Sequence, residues 1–161
     1  TRGRFVEGKM SGKWEVFYPD GSRKTQTDYK EGVKNGTEIL YDENGTIYQK
    51  ADYKEGVVNG RWERYVEGIL IEKGGYVEGK KDGLWIFYAQ NGYKQREQEF
   101  KQGKPNGKWI EYYSANKKSA EGEYTDGQKS GTWKNYDKRG NVLSETIFKN
   151  GKKVNEEIEK K

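Results

Sequence analysis

Residues 8–31 read GKMSGKWEVFYPDGSRKTQTDYKE, and the same pattern of glycines, aromatic residues and charges begins again at Gly32. A period of about 24 residues is typical of tandem repeat proteins, in which each unit packs against its neighbours. The first glycine of the pattern recurs along the whole chain, at Gly8, Gly32, Gly56, Gly79, Gly103, Gly127 and Gly151. The sequence therefore predicts a single repeat array over residues 1–161, with repeats at 8–31, 32–55, 56–78, 79–102, 103–126 and 127–150 and partial repeats at 1–7 and 151–161.

Two further glycine columns divide each repeat into two short segments. Dipeptides such as Asp20-Gly21 tolerate the positive φ angles of a two-residue type I′ hairpin turn, and Asn116 takes the corresponding glycine position in the fifth repeat. Asn35-Gly36, in the other column, predicts a second reversal at the opposite end of the strands. The predicted fold class is therefore all-β: an elongated single-layer antiparallel β-meander of about six β-hairpin repeats with partial repeats at its ends.

The chain is rich in aromatic residues, which are expected to form the core that aliphatic residues form in most proteins. The chain has 5 Trp, 13 Tyr and 5 Phe, and 35% of its residues are charged, with a formal net charge of +5. It has no Cys and no His, which excludes disulfides, thiol nucleophiles and any metal or acid–base chemistry that depends on His. No cofactor is expected. No apolar run approaches the ~20 residues that a membrane-spanning helix needs, so no transmembrane segment is expected.

The register of the hairpins follows from the turn positions. With Asp20-Gly21 as a two-residue turn, residues whose numbers sum to 41 face each other, so Trp14 pairs with Thr27. In the shorter third repeat, a three-residue loop pairs Trp62 with Gly74. The same arithmetic pairs Trp85 with Gln98, Trp109 with Gly122 and Trp133 with Thr146. Thr and Gly partners leave room for a large ring to lie across the neighbouring strand.

Alternation along the strands then predicts two faces. One of them, called the Trp face below, carries the tryptophans together with one Tyr or Phe in each second strand, and it is predicted to be the core. Its predicted core residues are Trp14, Trp62, Trp85, Trp109, Trp133, Tyr29, Tyr53, Tyr76, Phe100 and Tyr124. In the second repeat Glu38 takes the tryptophan position, so that repeat is predicted to be the weakest.

The opposite face, called the Tyr face below, carries a second aromatic column at Tyr41, Tyr65, Tyr88, Tyr112 and Tyr136. These tyrosines are the candidate partner-binding residues, because regularly spaced exposed aromatics form adhesive surfaces and Tyr is enriched at interfaces. Their neighbours on the second strands are acidic, at Asp28, Asp52, Glu99 and Glu123. The alternative is structural, since a single-layer sheet needs aromatics on both sides to hold its strands.

The motif Gly-Lys-x-x-Gly-x-Trp occurs from Gly8 to Trp14, from Gly79 to Trp85 and from Gly103 to Trp109. With this motif the chain resembles the bacterial variant of the MORN repeat, as found in YwqK-family antitoxins and in exported 24-residue-repeat proteins. The resemblance implies an interaction module with varied partners, and it brings no catalytic residues with it. The chain departs from the pattern at Glu38, Asn116 and Asn155, and the last departure indicates that the array ends there.

The charged residues suggest two other functions. Paired carboxylates on one face could hydrolyse glycosides, but such catalysis needs one pair with unequal environments, whereas here carboxylates recur in nearly every repeat. A lysine-rich edge near the first two glycine columns could meet an anionic surface, but glutamates such as Glu31 and Glu55 stand directly before the same turns. Both patterns favour an ordinary solvated surface.

The sequence therefore leaves two functions open, neither of them enzymatic. The first is a protein-binding scaffold of MORN-type repeats, with an antitoxin-like inhibitor as one form of it. The alternative is an exported or cell-envelope surface protein that binds a glycan or an anionic lipid surface. A protein is the expected partner and nucleic acid is not. An exported or envelope location is favoured, and a cytoplasmic one is expected for an antitoxin.

Overall fold

A computed structural model of the chain describes residues 1–154 and 158–159, and in this part every regular element is a β-strand. Asn155, where the sequence predicts the end of the array, lies outside the described residues. The strands are β1 (Arg2–Val6), β2 (Lys9–Phe17), β3 (Arg23–Lys30), β4 (Val33–Tyr41), β5 (Ile47–Lys54), β6 (Val57–Val66), β7 (Ile69–Val77), β8 (Lys80–Tyr88), β9 (Lys94–Lys101), β10 (Lys104–Ser114), β11 (Lys117–Thr125), β12 (Gln128–Tyr136), β13 (Val142–Lys149), β14 (Lys152–Lys153) and β15 (Ile158–Glu159).

The chain forms two compact units, unit 1 over Thr1–Lys80 and unit 2 over Lys81–Lys161. In unit 1, strands β1 to β7 pair in chain order, each antiparallel to the next. In unit 2, strands β8 to β14 do the same, and β15 also pairs with β13. The predicted all-β antiparallel meander of hairpin repeats is thereby confirmed.

The predicted tryptophan register is also confirmed. Trp14 pairs with Thr27, Trp62 with Gly74, Trp85 with Gln98, Trp109 with Gly122 and Trp133 with Thr146. This agreement follows from the period-two alternation of a strand, since a slip of one residue would move every aromatic side chain to the wrong face.

The prediction of a turn at Asn35-Gly36 is wrong. Strand β4 runs through both residues, and the chain reverses at Glu31-Gly32, whose φ angles are 52° and 84°. Two successive positive φ angles define a type I′ turn. A left-handed Glu costs about 1–2 kcal/mol, and Gly32 offsets part of that cost by donating its N–H to the Met10 carbonyl of the preceding repeat at 2.9 Å. Contacts between repeats therefore place the turn, against the stronger local signal of Asn-Gly.

Gly36 forms a β-bulge within the strand, at a φ angle of 121°. The bulge turns the Thr37 N–H towards the Asp28 carboxylate, which accepts it at 3.1 Å. A Cβ on Gly36 would lie 2.8 Å from the Asp28 Cβ, so a side chain does not fit there. The second glycine column thus marks bulges, where the backbone bends and local twist increases.

At the other end of the strands, the assignment of Asp20-Gly21 to a type I′ turn is also wrong. The loop spans residues 18–22, with Gly21 N–H donating to the Tyr18 carbonyl at 3.0 Å, and Gly21 has a φ angle of 89° while Asp20 stays outside the left-handed region. This is a type I turn followed by a glycine bulge. In the third repeat the expected three-residue loop is a two-residue turn at Glu67-Gly68, and a register shift between Arg64 and Tyr65 restores the predicted pairing.

The tryptophans form the buried centre of the Trp face. Trp14, Trp85 and Trp133 are buried, whereas Trp62 and Trp109 are half-buried. The other predicted core aromatics, Tyr29, Tyr53, Tyr76, Phe100 and Tyr124, are half-buried. Three of the five indoles are therefore buried more completely than the rings that pack around them, and the other two are not.

A glycine on the preceding strand explains part of this difference. A Cβ on Gly3 would lie 2.2 Å from the Trp14 ring, and a Cβ on Gly122 would lie 2.2 Å from the Trp133 ring. These rings therefore lie against the strand before them, and Tyr29 and Phe148 on the strands that follow contact them edge-on. Trp62 has Ala51 as its neighbour on that preceding strand, and its ring stays half-buried.

Glu38, in the tryptophan column, is buried and well partnered. Its carboxylate accepts hydrogen bonds from the Thr27 hydroxyl at 3.2 Å and from the Lys34 ammonium group. In unit 2, a lysine in the position of Lys34 lies over an indole instead: the Lys129 ammonium is 4.0 Å from the Trp133 ring centroid. The same lysine position therefore serves a buried carboxylate in one repeat and a cation–π contact in another.

Candidate partner-binding face

The candidate tyrosines Tyr41, Tyr65, Tyr88, Tyr112 and Tyr136 lie at or near the end of the first strand of each hairpin, and all five are half-buried. The prediction that these tyrosines form an exposed row is therefore wrong in degree, because the row is half-buried. The most exposed tyrosines are others, Tyr48, Tyr93 and Tyr113, with relative exposures of 43%, 51% and 47%. Sequence reasoning missed them because they lie beside the hairpin loops, where register shifts interrupt strict alternation.

Two of the hydroxyl groups on the Tyr face are held by carboxylates. Tyr65 donates to Glu63 at 2.6 Å, and Tyr136 donates to Glu121. Burial, followed by the hydrogen bond and the negative charge of the glutamate, raises the pKa of Tyr65 to about 12, and the same causes raise the pKa of Tyr136 to about 12. Both phenols are therefore neutral hydrogen-bond donors at physiological pH.

Cations from the preceding strand lie over several of the rings. The Lys50 ammonium is 5.4 Å from the Tyr65 ring centroid, and the Lys94 ammonium is 5.5 Å from that of Tyr112. Arg23 lies over Tyr41 at 5.6 Å. A cation over an aromatic face is worth about 0.5–1 kcal/mol at an exposed site. The Tyr face thus presents rings that already carry a positive group on one side.

The acidic neighbours of the tyrosines mostly support the backbone. Asp28, Asp52 and Glu99 each accept a bulge N–H, from Thr37 at 3.1 Å, Arg61 at 3.2 Å and Lys108 at 2.8 Å. Glu123 differs, since its side chain is exposed and its backbone carbonyl accepts the Trp133 indole N–H at 3.2 Å. Three of the four predicted acidic neighbours therefore have a structural role.

At the start of unit 1, a buried glutamate extends the charged network of the Tyr face. Glu15 lies between two guanidinium groups and accepts hydrogen bonds from Arg2, while Arg23 approaches it to 2.7 Å. The hydrogen bond from Arg2 is the main cause that lowers the pKa of Glu15 below its usual value, and Arg23 lowers it further. Glu15 therefore stays ionised and fixes both arginines.

Shallow cavities open on the Tyr face at corresponding positions in the two units. In unit 1 a cavity of about 290 Å³ is lined by Thr37, Lys50, Ala51, Asp52, Arg61 and Glu63. In unit 2 a cavity of about 390 Å³ is lined by Lys108, Trp109, Ile110, Lys118, Glu121, Gly122, Glu123, Thr132 and Lys134. Each holds a glutamate that accepts a tyrosine hydroxyl, Glu63 or Glu121. The tyrosines therefore border charged hollows large enough for a side chain of a partner.

Antiparallel hairpins that repeat every 23 or 24 residues and present one face of aromatic and charged side chains define a tandem-repeat protein. The family model described as MORN repeat variant matches residues 10–31, 34–55 and 129–150. Each match begins at the third residue of a repeat, so the matches share the repeat frame, and they support a MORN-repeat protein. MORN repeats are generally modules for binding.

No curated protein matches the chain. Within the described residues, none of the elements is a helix that could cross a membrane.

Proposed function

We propose that this chain is a non-enzymatic scaffold that binds a protein partner through its Tyr face. The observation that carries the proposal is the placement of charged hollows of about 290 and 390 Å³ beside the tyrosine column in both units. Half-buried tyrosines that are fixed by hydrogen bonds lose little conformational freedom on binding, which favours them as the centre of an interface.

The chemistry of the carboxylates supports a binding role over an acid–base one. Asp28, Asp52 and Glu99 accept backbone N–H groups at bulges. Glu63 and Glu121 accept tyrosine hydroxyls, and Glu121 also pairs with Lys118 at 2.6 Å. A catalytic pair needs one carboxyl that releases a proton and one that stays ionised, in unequal environments. These carboxylates instead stabilise the sheet and hold its tyrosines in place.

An antitoxin-like inhibitor is the form of this scaffold that the resemblance to YwqK-family antitoxins suggests. Such a protein would lie along its target and block it, with a cytoplasmic location. The alternative is an exported or envelope protein that binds a glycan or an anionic lipid surface through its lysines. The net charge of +5 and the isoelectric point near 9.1 favour this second form.

The test is capture of the partner from a lysate of the source cell, followed by mass spectrometry. One variant replaces Tyr65 and Tyr112 with Ser, one residue in each unit. The matched control replaces Lys80 and Lys104 with Gln, two exposed residues that follow the turn glycines, again one in each unit. Circular dichroism establishes that both variants are folded. We expect the tyrosine variant to lose the partner and the lysine variant to keep it.

Salt supplies a second criterion. An interface centred on tyrosines persists between low and moderate ionic strength, whereas binding through exposed lysines collapses. Loss of binding in the lysine variant, with binding retained in the tyrosine variant, would replace the scaffold with an electrostatic surface binder. Equal binding by both variants would place the interface away from the Tyr face.

A further inference from the structure

A second cavity in unit 2 lies beside the hairpin loops and is rich in cations. It has a volume of about 390 Å³, and its lining is Asn116, Lys117, Lys118, Tyr136, Asp137, Lys138, Arg139 and Gly140. Lys117 and Lys118 follow the turn between β10 and β11, while Lys138 and Arg139 belong to the loop between β12 and β13. Two successive hairpin loops thus bring four cationic side chains around one hollow.

The carboxylate that lines this cavity already accepts hydrogen bonds from its own loop. The Asp137 carboxylate accepts the N–H groups of Arg139 and Asn141, each at 2.8 Å, and the Asn141 side-chain amide at 2.9 Å. Lys118 pairs with Glu121. Among the described residues, Lys117, Lys138 and Arg139 are exposed and form no ion pair. The hollow therefore has a surplus of positive charge that its own carboxylates do not neutralise.

The corresponding loop of unit 1 has the same backbone and the opposite charge. Its sequence is Asp42-Glu43-Asn44-Gly45, against Asp137-Lys138-Arg139-Gly140 in unit 2. In both loops the glycine N–H donates to the aspartate carbonyl at 3.0 Å, and the aspartate carboxylate accepts the N–H four residues on at 2.8 Å. Since the fold of the loop needs neither Lys138 nor Arg139, their charge is free to serve recognition.

We propose that this hollow, called the basic loop pocket, binds a carboxylate-rich segment of the protein partner. The inference rests on the proposed scaffold function and extends it to a second contact of defined chemistry. A volume near 390 Å³ suits one or two side chains, since ligand pockets begin at about 300 Å³. Its cations belong to one pair of loops and surround a hollow with a tyrosine wall, Tyr136. A membrane or a nucleic acid is a broad polyanion and calls for cations spread over a wide surface.

Lysine suits such a ligand because a flexible ammonium group can meet carboxylates in several positions, whereas planar bidentate recognition depends on arginine. Three of the four cations are lysines. Tyr136 lines the hollow, and its hydroxyl hydrogen is already donated to Glu121, so its ring is left as the apolar part of the wall. We therefore expect recognition of acidic residues without a strict sequence, with steep dependence on salt.

The experiment is a calorimetric titration of the full chain with a hexaglutamate peptide at low salt, with hexaglutamine as the neutral control. The matched variant is Lys138→Glu with Arg139→Asn, which installs the loop sequence that unit 1 already carries in the same backbone. We expect hexaglutamate to bind the native chain, hexaglutamine not to bind, and the variant to bind hexaglutamate at least about tenfold more weakly. Circular dichroism and the melting temperature should be unchanged.

Three results would overturn the basic loop pocket: equal hexaglutamate affinity in the variant, equal binding of both peptides, or failure of hexaglutamate to bind while vesicles of phosphatidylserine and phosphatidylcholine do. The last result would assign these cations to a lipid surface. Because the titration needs no natural partner, its failure leaves the Tyr-face scaffold standing. Conversely, loss of the scaffold in the capture experiment would leave peptide binding at this pocket measurable by itself.

Discussion

Gly122→Ala is the substitution that most directly probes how a tryptophan of the Trp face is buried. The new Cβ would lie 2.2 Å from one carbon of the Trp133 ring and 2.3 Å from another, inside any van der Waals contact. The ring cannot yield easily, because Trp109 lies 5.0 Å away and Tyr124 5.2 Å away between ring centroids. The indole N–H is also bonded to the Glu123 carbonyl at 3.2 Å. The substitution must therefore displace Trp133 or bend β11.

The magnitude follows from two opposing terms. Overpacking of this kind costs about 1–3 kcal/mol. Alanine is favoured over glycine within a strand by about 0.5–1 kcal/mol, which offsets part of the cost. We expect a net loss of about 1–2 kcal/mol, which lowers the melting temperature by about 2–8 °C in a chain of this size. Trp133 should become half-buried, as Trp62 already is beside Ala51.

Urea unfolding followed by circular dichroism measures the loss, and Glu123→Ala is the control. Glu123 is the next residue of the same strand, with its exposed side chain on the opposite face, so alanine there should be nearly neutral. The decisive comparison repeats Gly122→Ala in a Trp133→Ala background, where the cost should disappear because the obstructing ring is gone. A cost that persists in that background, or a stabilised single variant, would refute the proposed contact.

Three further outcomes are expected. Glu38→Trp alone should leave the free energy of urea unfolding nearly unchanged. Adding Thr27→Gly should make the change stabilising, because Gly3 gives Trp14 the same room in the first repeat. A double variant less stable than the single one would contradict this. Deleting residues 103–126, one whole repeat, should leave a cooperatively melting protein, whereas a deletion of half that length should not fold, since it would mispair the strands. Because the pKa of Tyr65 is raised from 10.0 to about 12, its contribution to stability is full below pH 10 and is lost as the pH rises towards 12. Tyr65→Phe should remove that part of the alkaline loss, and an unchanged pH profile would contradict the raised pKa.

The sequence by itself determined the repeat frame, the pairing of the strands and the assignment of residues to two faces. The glycine positions and the period-two alternation are local properties that recur in each repeat. Six repeats therefore predict the same register. The pairing of Trp14 with Thr27 therefore follows from the sequence alone. The five candidate tyrosines could be placed on one face for the same reason, although their degree of burial and their partners could not.

Only the tertiary structure decided which glycines turn the chain, which strand each indole covers and how the tyrosines are held. Asn35-Gly36 is the stronger turn signal by local propensity, but the turn lies at Glu31-Gly32, where the glycine N–H reaches Met10 of the preceding repeat. The bulge at Gly36 is stabilised in turn by the Asp28 carboxylate. A left-handed Glu costs about 1–2 kcal/mol and each hydrogen bond contributes about 0.5–1.5 kcal/mol, so the bonds of Gly32 to Met10 and of Thr37 to Asp28 together offset the local preference.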